Sequence, residues 1–256
     1  SPTAGLQPVI CMSIRSILKN ILAGFLLISS FLLIFIVFLY QPLVNFVSST
    51  LGLDPYLVIN MPAGIEYNGP PTSGLAGYYC IRGASTVNFT IQLNAELGNG
   101  LWVQDAWASG RYAGDILSVA PIVFTGPSAG DCGWLVVLIR NETLYFGYSI
   151  GGTHVVWYYE YQVGNTTILP GYLTNLVVAG PGGGKSVSFT SLRVVLALYY
   201  WSGFRWVPAP VRVLTSMGTG ERVANAWVYY GGNWAVVSWP EPANQAIPVP
   251  TPEFKP

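Results

Sequence analysis

The side chains that most often move protons or hold metals near neutral pH are almost missing from this chain. His154 is the single histidine, and Lys19, Lys185 and Lys255 are the three lysines among 256 residues. A two-histidine zinc site within the chain is excluded, and so is a lysine base in a triad. No Asp-Thr-Gly or Asp-Ser-Gly triplet offers a paired-aspartate site. What remains for chemistry is carboxylates and amides. A carboxylate serves as general base when ionised and as general acid when protonated. A neutral amide beside it can hold the attacking water and stabilise a tetrahedral oxyanion.

The acids of most interest are four with glycine or aromatic residues close by in the sequence: Glu66, Asp105, Glu160 and Glu221. Gln104 falls mid-strand in Trp102-Val103-Gln104-Asp105, and Glu221 opens a later strand after a glycine turn. Gln104 is therefore assigned to water and oxyanion positioning, and Glu221 to general acid and base. Glu160 is the next candidate acid. Asp105 is a weaker one, because on a regular strand it faces away from Gln104.

Other motifs read as structure. Ala179-Gly-Pro-Gly-Gly-Gly-Lys185-Ser186 fits a relaxed phosphate-loop pattern, but a phosphate loop precedes a helix. Here Ser-Val-Ser-Phe-Thr follows, which predicts a strand, so a glycine-rich turn is expected. Basic residues are scattered, with no footprint for nucleic acid. No cofactor or metal is implied. Trp157-Tyr158-Tyr159-Glu160-Tyr161 alternates so that Trp157, Tyr159 and Tyr161 share one face and Tyr158 and Glu160 the other.

The elements that must carry these residues are strands behind an apolar segment. The chain is 52% hydrophobic and 9% charged. Residues 20–40 hold no charge and are long enough to cross a bilayer, which needs about 20 apolar residues. Arg15 and Lys19 precede them, and the next basic residue is Arg82. The positive-inside bias then puts residues 1–19 in the cytoplasm and the remainder outside. The segment is longer than the core of a cleaved signal peptide. It is expected to be a single-pass anchor in the cell membrane; cleavage would give a secreted protein. Asn88, Asn141 and Asn165 head N-glycosylation triplets, and Cys80 and Cys132 are placed to form a disulfide outside the cell, the alternative being two free thiols.

Residues 41–239 are expected to form one all-β domain, an antiparallel sandwich or jelly-roll. The clearest strand is Val87 to Leu97, with an apolar face and a polar face. Strands are also predicted over 101–108, 134–140, 143–149, 154–163, 173–179, 186–200, 221–230 and 234–239, with a bulge near Thr190-Ser191. Gly98-Asn99-Gly100, Gly151-Gly152 and Gly231-Gly232-Asn233 are the turn signals between several of them. Residues 240–256 are dense in proline and predict an extended, unpacked tail.

Several segments together resemble the thermopsin family, in matching order from about residue 60 to 230. They are Pro62-Ala-Gly-Ile-Glu-Tyr-Asn-Gly69 with Gly77-Tyr-Tyr79, Ile91-Gln-Leu-Asn-Ala95, Leu101-Trp-Val-Gln-Asp105, Val178 to Gly184 before a long strand, and Gly218-Thr-Gly-Glu221. Thermopsins are secreted or membrane-attached acid endopeptidases of thermophilic archaea, so the resemblance implies that activity and a protein or peptide substrate. The Gln104–Glu221 assignment is also similar to the carboxylate–amide arrangement of the glutamic peptidases. Where the family continues with small hydroxyl residues after Gly-Glu, this chain has Arg222-Val-Ala-Asn225. Residues 42–256 hold nine cationic residues against eleven acids, so protonating the acids leaves a modest positive charge. The competing expectation is a non-catalytic surface sandwich that binds glycan or builds the envelope.

Overall fold

The computed structural model describes residues 22, 24, 29, 57–59, 62–116, 120–124, 128–181, 185–214, 226–243, 245 and 247–255. The chain divides into two units, Ser1–Asp54 and Pro55–Pro256. In the first, Leu22, Gly24 and Ser29 are helical. Among the described residues no helix is long and apolar enough to cross a membrane. The predicted anchor at 20–40 falls almost wholly outside them.

The second unit is all-β. Its described strands are β1 (Leu57–Ile59), β2 (Ala63–Tyr67), β3 (Gly74–Ala84), β4 (Thr90–Leu97), β5 (Trp102–Ala108), β6 (Arg111–Ile116), β7 (Ala120–Phe124), β8 (Cys132–Arg140), β9 (Thr143–Ser149), β10 (Val156–Gln162), β11 (Ile168–Leu169), β12 (Gly171–Ala179), β13 (Val187–Phe189), β14 (Leu192–Trp201), β15 (Trp206–Pro208), β16 (Val211–Leu214), β17 (Trp227–Gly231) and β18 (Trp234–Trp239). One sheet runs β16-β2-β12-β4-β5-β6-β7, with β11 on β4. A second runs β10-β9-β8-β3-β14-β18-β17, with β15 on β14. A third pairs β1 with β13.

The two large sheets bury a common core. Ile65, Ile91, Leu93, Val103 and Leu176 come from the first, and Leu75, Leu135, Val137, Phe146 and Leu196 from the second. Their alternation is what drives the packing, since each inward side chain contributes roughly 1.5–3 kcal/mol on full burial. The sandwich predicted from the sequence is thus present. The phosphate-loop pattern leads from Lys185 into β13, a strand, so it has no helix N-terminus to offer.

In the second sheet the middle strands, β8, β3, β14 and β18, are covered on both faces. Its outer face packs Ala76, Trp134, Val136, Ala197 and Tyr199 against Phe254, and Cys80, Val195 and Val236 against Ala243. This corrects the expectation of an unpacked tail. The Trp206 indole donates to the Phe254 carbonyl at 2.9 Å, the Tyr199 hydroxyl to the Pro250 carbonyl at 2.9 Å, and the Glu253 amide to the Gly152 carbonyl at 2.8 Å. Proline rules out ladder pairing for much of the tail, but it does not prevent burial of the apolar residues between the prolines. Double coverage also explains why β3, with its glycines and no clean alternation, was not predicted. A strand buried on both sides loses its period-two signature.

Cys80 and Cys132 face one another across β3 and β8 and form a disulfide. The glycosylation-triplet residues Asn88, Asn141 and Asn165 are all exposed.

Two outcomes are expected in denaturant unfolding of the domain. Phe254→Ala, which empties the pocket between Trp134 and Trp206, should cost about 3 kcal/mol. Replacing both cysteines by alanine should cost about 2–4 kcal/mol, because it frees a loop of 52 residues in the unfolded chain.

Candidate active site

Two short turns set the register that assembles the site. The β4–β5 hairpin closes through Gly98-Asn99-Gly100, where Gly100 has φ 85° and the Leu97 amide donates to the Leu101 carbonyl at 2.8 Å. The β5–β6 hairpin closes through Ser109 and Gly110, at φ 49° and 84°, the two left-handed residues of a type I′ turn. Counting back from these turns puts Asn94 opposite Gln104, and Gln104 opposite Asp115.

The row continues across the sheet. Asn94 lies opposite Asn175, Asn175 opposite Glu66, and Glu66 opposite Arg212. Directly opposed residues point to the same face, with Cβ atoms about 4.5–5.5 Å apart. Their neighbours Ile65, Leu93, Val103, Leu176 and Ile116 point into the core. Six adjacent strands therefore present Arg212, Glu66, Asn175, Asn94, Gln104 and Asp115 in one line on the outer face.

The middle of this line is the most enclosed part. Asn94 and Asn175 are fully buried, Glu66, Gln104 and Asp115 half-buried, and Arg212 exposed. The Asn94 Nδ2 donates to Asn175 Oδ1 at 2.8 Å, and Asn175 Nδ2 to the Tyr172 carbonyl at 2.6 Å. Gln92 Nε2 donates to Thr90 Oγ1 at 2.8 Å one step along the same face. Among the described residues Asn94 Oδ1 has no partner. A buried acceptor left open costs about 1–3 kcal/mol, which a structure retains where it has a use for it.

Electrostatics separates the two carboxyls of β5 and β6. Partial burial raises the Asp115 carboxyl above the ordinary aspartate range, against the pull of the Ile116 N–H. Asp115 therefore holds its proton to higher pH than a free aspartate does, as a general acid requires. Asp105 points the other way, into the core. Burial pushes it up to about 8 despite hydrogen bonds from the Tyr158 hydroxyl and the Val136 and Ala106 amides.

The other sequence-derived candidates fall elsewhere. Glu221 lies outside the described residues, so the Gln104–Glu221 pairing is not described. Glu160 is exposed on β10, opposite Tyr145, on the outer face of the second sheet. There it lines a cavity of about 240 Å³ with Tyr145, Trp157, Tyr158 and Tyr159. The structure does not bring it to Gln104. The simple alternation predicted for 157–161 is also corrected: a bulge at Tyr158 resets the phase. Trp157 joins Glu160 on the outer face, and Tyr158 turns inward to Asp105. His154 is exposed before β10. Among the described residues no cluster of His, Cys, Asp and Glu could hold a metal ion.

Asp115 was not among the sequence candidates. The signal that finds it is the Ser109-Gly110 dipeptide: read as a two-residue turn, it sets Asp115 across from Gln104 by counting alone. Asn94 and Asn175 needed the pairing of β12 with β4, which joins positions 81 residues apart.

The sequence profile of the thermopsin family matches residues 136–226. The matched stretch contains Glu160, Asn175 and Glu221, and lies beyond Gln104 and Asp115. The match covers less than half of the chain and supports a peptidase. No curated protein matches the chain. Among solved structures, the chain is similar to Scytalido-glutamic peptidase with a peptide-based transition-state analog. The TM-score is 0.42 and the identity 9%, over 71% of this chain and 97% of that chain.

Asp115 is expected to titrate above the value of about 3.9 for a free aspartate. Carboxyl-carbon NMR across pH 2–7 checks this; a midpoint at or below that value would remove it as the acid.

Proposed function

We propose that this chain is a membrane-anchored acid endopeptidase acting outside the cell, with Gln104 and Asp115 as its catalytic amide and carboxyl. The observation that carries the proposal is the Gln104–Asp115 pair, opposed across β5 and β6 within a polar row on the outer face of the sheet. The thermopsin match supports peptide-bond hydrolysis. The disulfide, the three exposed asparagines that head glycosylation triplets and the apolar segment at 20–40 support a place outside the membrane.

The chemistry follows from the residue types. Ionised Asp115 takes a proton from a water as that water's oxygen bonds to the scissile carbonyl carbon. The Gln104 amide N–H groups donate to the oxyanion that forms. The protonated Asp115 then passes its proton to the leaving nitrogen as the C–N bond breaks, and the carboxylate is restored. A carboxyl with a raised pKa is present in both forms in mild acid, which the cycle requires. Asn94, packed beside Gln104, limits the orientations open to that amide.

Hydrolysis of denatured haemoglobin at pH 2–5 tests the assignment. Gln104→Ala and Asp115→Asn should each lower kcat by about a hundredfold or more with the melting temperature kept. Full activity in Asp115→Asn with loss in Glu221→Gln would move the acid role to Glu221. No hydrolysis by the parent at any acidic pH would favour the non-catalytic surface sandwich.

A further inference from the structure

Behind the proposed site, on the core side of β5, lies a second carboxyl that the chemistry above does not use. Asp105 is fully buried. Its Oδ2 accepts from the Val136 amide of β8 at 2.9 Å, and its Oδ1 is 2.5 Å from the Tyr158 hydroxyl of β10. It is thus a polar tie between the two sheets, one residue from Gln104.

Its surroundings are shaped to admit it. Asp105 is opposed on β6 by Gly114. A Cβ there would come within 2.6 Å of the Phe146 ring and 3.2 Å of the Tyr158 hydroxyl, so the glycine leaves the opening through which Tyr158 reaches the carboxyl. The bulge in β10 is what turns Tyr158 inward.

The groups facing this carboxyl are all neutral acids. Tyr158 comes from β10, Tyr112 from β6 and Tyr79 from β3. The Tyr79 and Tyr112 hydroxyls lie 3.1 Å apart, and Tyr148 of β9 stacks on Tyr112 at 4.0 Å. Asp131 acts on Tyr79. Among the described residues no Lys or Arg acts on Asp105. An ionised carboxylate in such a place is expensive, and a neutral one is not.

We propose that Asp105 is a positioning residue that works as a protonated clamp. Neutral, it ties β5 to the facing sheet and holds Gln104 in register with Asp115; ionised, its buried and unpaired charge makes that packing costly. The site is then assembled in acid and loosened toward neutral pH.

The sign follows from linkage. The folded-state carboxyl is raised to about 8 from about 3.9 in the unfolded chain. The stability held by the neutral form is complete below about pH 4. Between there and about pH 8 the folding constant falls about tenfold per pH unit.

Its effect on activity rests on the Gln104–Asp115 reading, but its effect on stability does not. Asp105→Asn stays neutral at every pH: its Oδ1 can accept from the Val136 amide, and its Nδ2 turns an N–H toward the Tyr158 oxygen, which in the parent chain donates to Asp105. The wild-type melting temperature should fall from pH 4 to pH 8, and that fall should be largely abolished in Asp105→Asn. The ratio of peptidase activity at pH 8 to that at pH 3 should rise about twofold, because about half of the parent carboxyls are ionised at pH 8. Should the variant not fold, hydrogen exchange in the wild-type chain tests the same point. Protection of the β5 amides, corrected for intrinsic rate, should drop between pH 5 and 8 ahead of β14. Melting curves of wild type and Asp105→Asn with the same pH dependence, or β5 protection unchanged with pH, would overturn the clamp. A chain with no peptidase activity but the expected melting behaviour would overturn the catalytic reading alone.

Discussion

The antiparallel ladder running from β16 to β6 is the constraint on which the proposed chemistry depends. Side chains alternate between faces with a period of two, so a slip of one residue in any strand would turn its member of the row into the core. The ladder is held against such slips from both ends. Tight turns at Gly98–Gly100 and Ser109–Gly110 set the β4–β5 and β5–β6 registers. The inward apolar set of Ile91, Leu93, Val103 and Leu176 penalises any other choice by burial. The row of amides and carboxyls is thus a by-product of core packing.

The two faces of β5 serve opposite ends with adjacent residues. Gln104 faces out, toward solvent and the proposed substrate; Asp105 faces in, toward tyrosines. Both are suited to acid, for different reasons. Asp115, beside Gln104, needs a carboxyl that keeps its proton in mild acid and can also give it up. Asp105 needs a carboxyl that stays neutral, because among the described residues no cation acts on it to offset a buried charge. The scarcity of lysine and histidine extends the same logic to the chain as a whole.

The second sheet takes a different part. It has no open face of its own over most of its area, because the proline-rich tail covers Trp134, Tyr199 and Trp206. The aromatic residues of its middle strands, Trp134 and Tyr199 among them, are therefore core. Where its edge is open, at β9 and β10, Tyr145 and Trp157 stand edge-to-face at 5.9 Å around Glu160. The bulge that opens this edge also sends Tyr158 to Asp105. One irregularity in β10 thus shapes both its outer surface and the inter-sheet tie.

Much of this was legible in local pattern. Val87 to Leu97 announces β4 by alternation, and Thr143 to Ser149 and Trp234 to Trp239 appear as strands over the predicted spans. The class of chemistry was legible too, since a chain with one histidine and three lysines leaves carboxylates and amides. Gln104 could be singled out because it sits on the polar side of an alternating strand. Its neighbours could not all be. Asp115 depended on recognising one two-residue turn, and Asn175 on the pairing of strands far apart in the chain. Glycine-rich β3 and the proline-rich tail were opaque for another reason. Each is buried by contacts with distant segments, and burial on both faces erases the alternation by which a strand is recognised. The sequence by itself determined the periodicity, the apolar faces and the stock of reactive groups, because these are properties of residues and their immediate neighbours. Only the tertiary structure decided which of those groups stand side by side, because that is set by strand order and register.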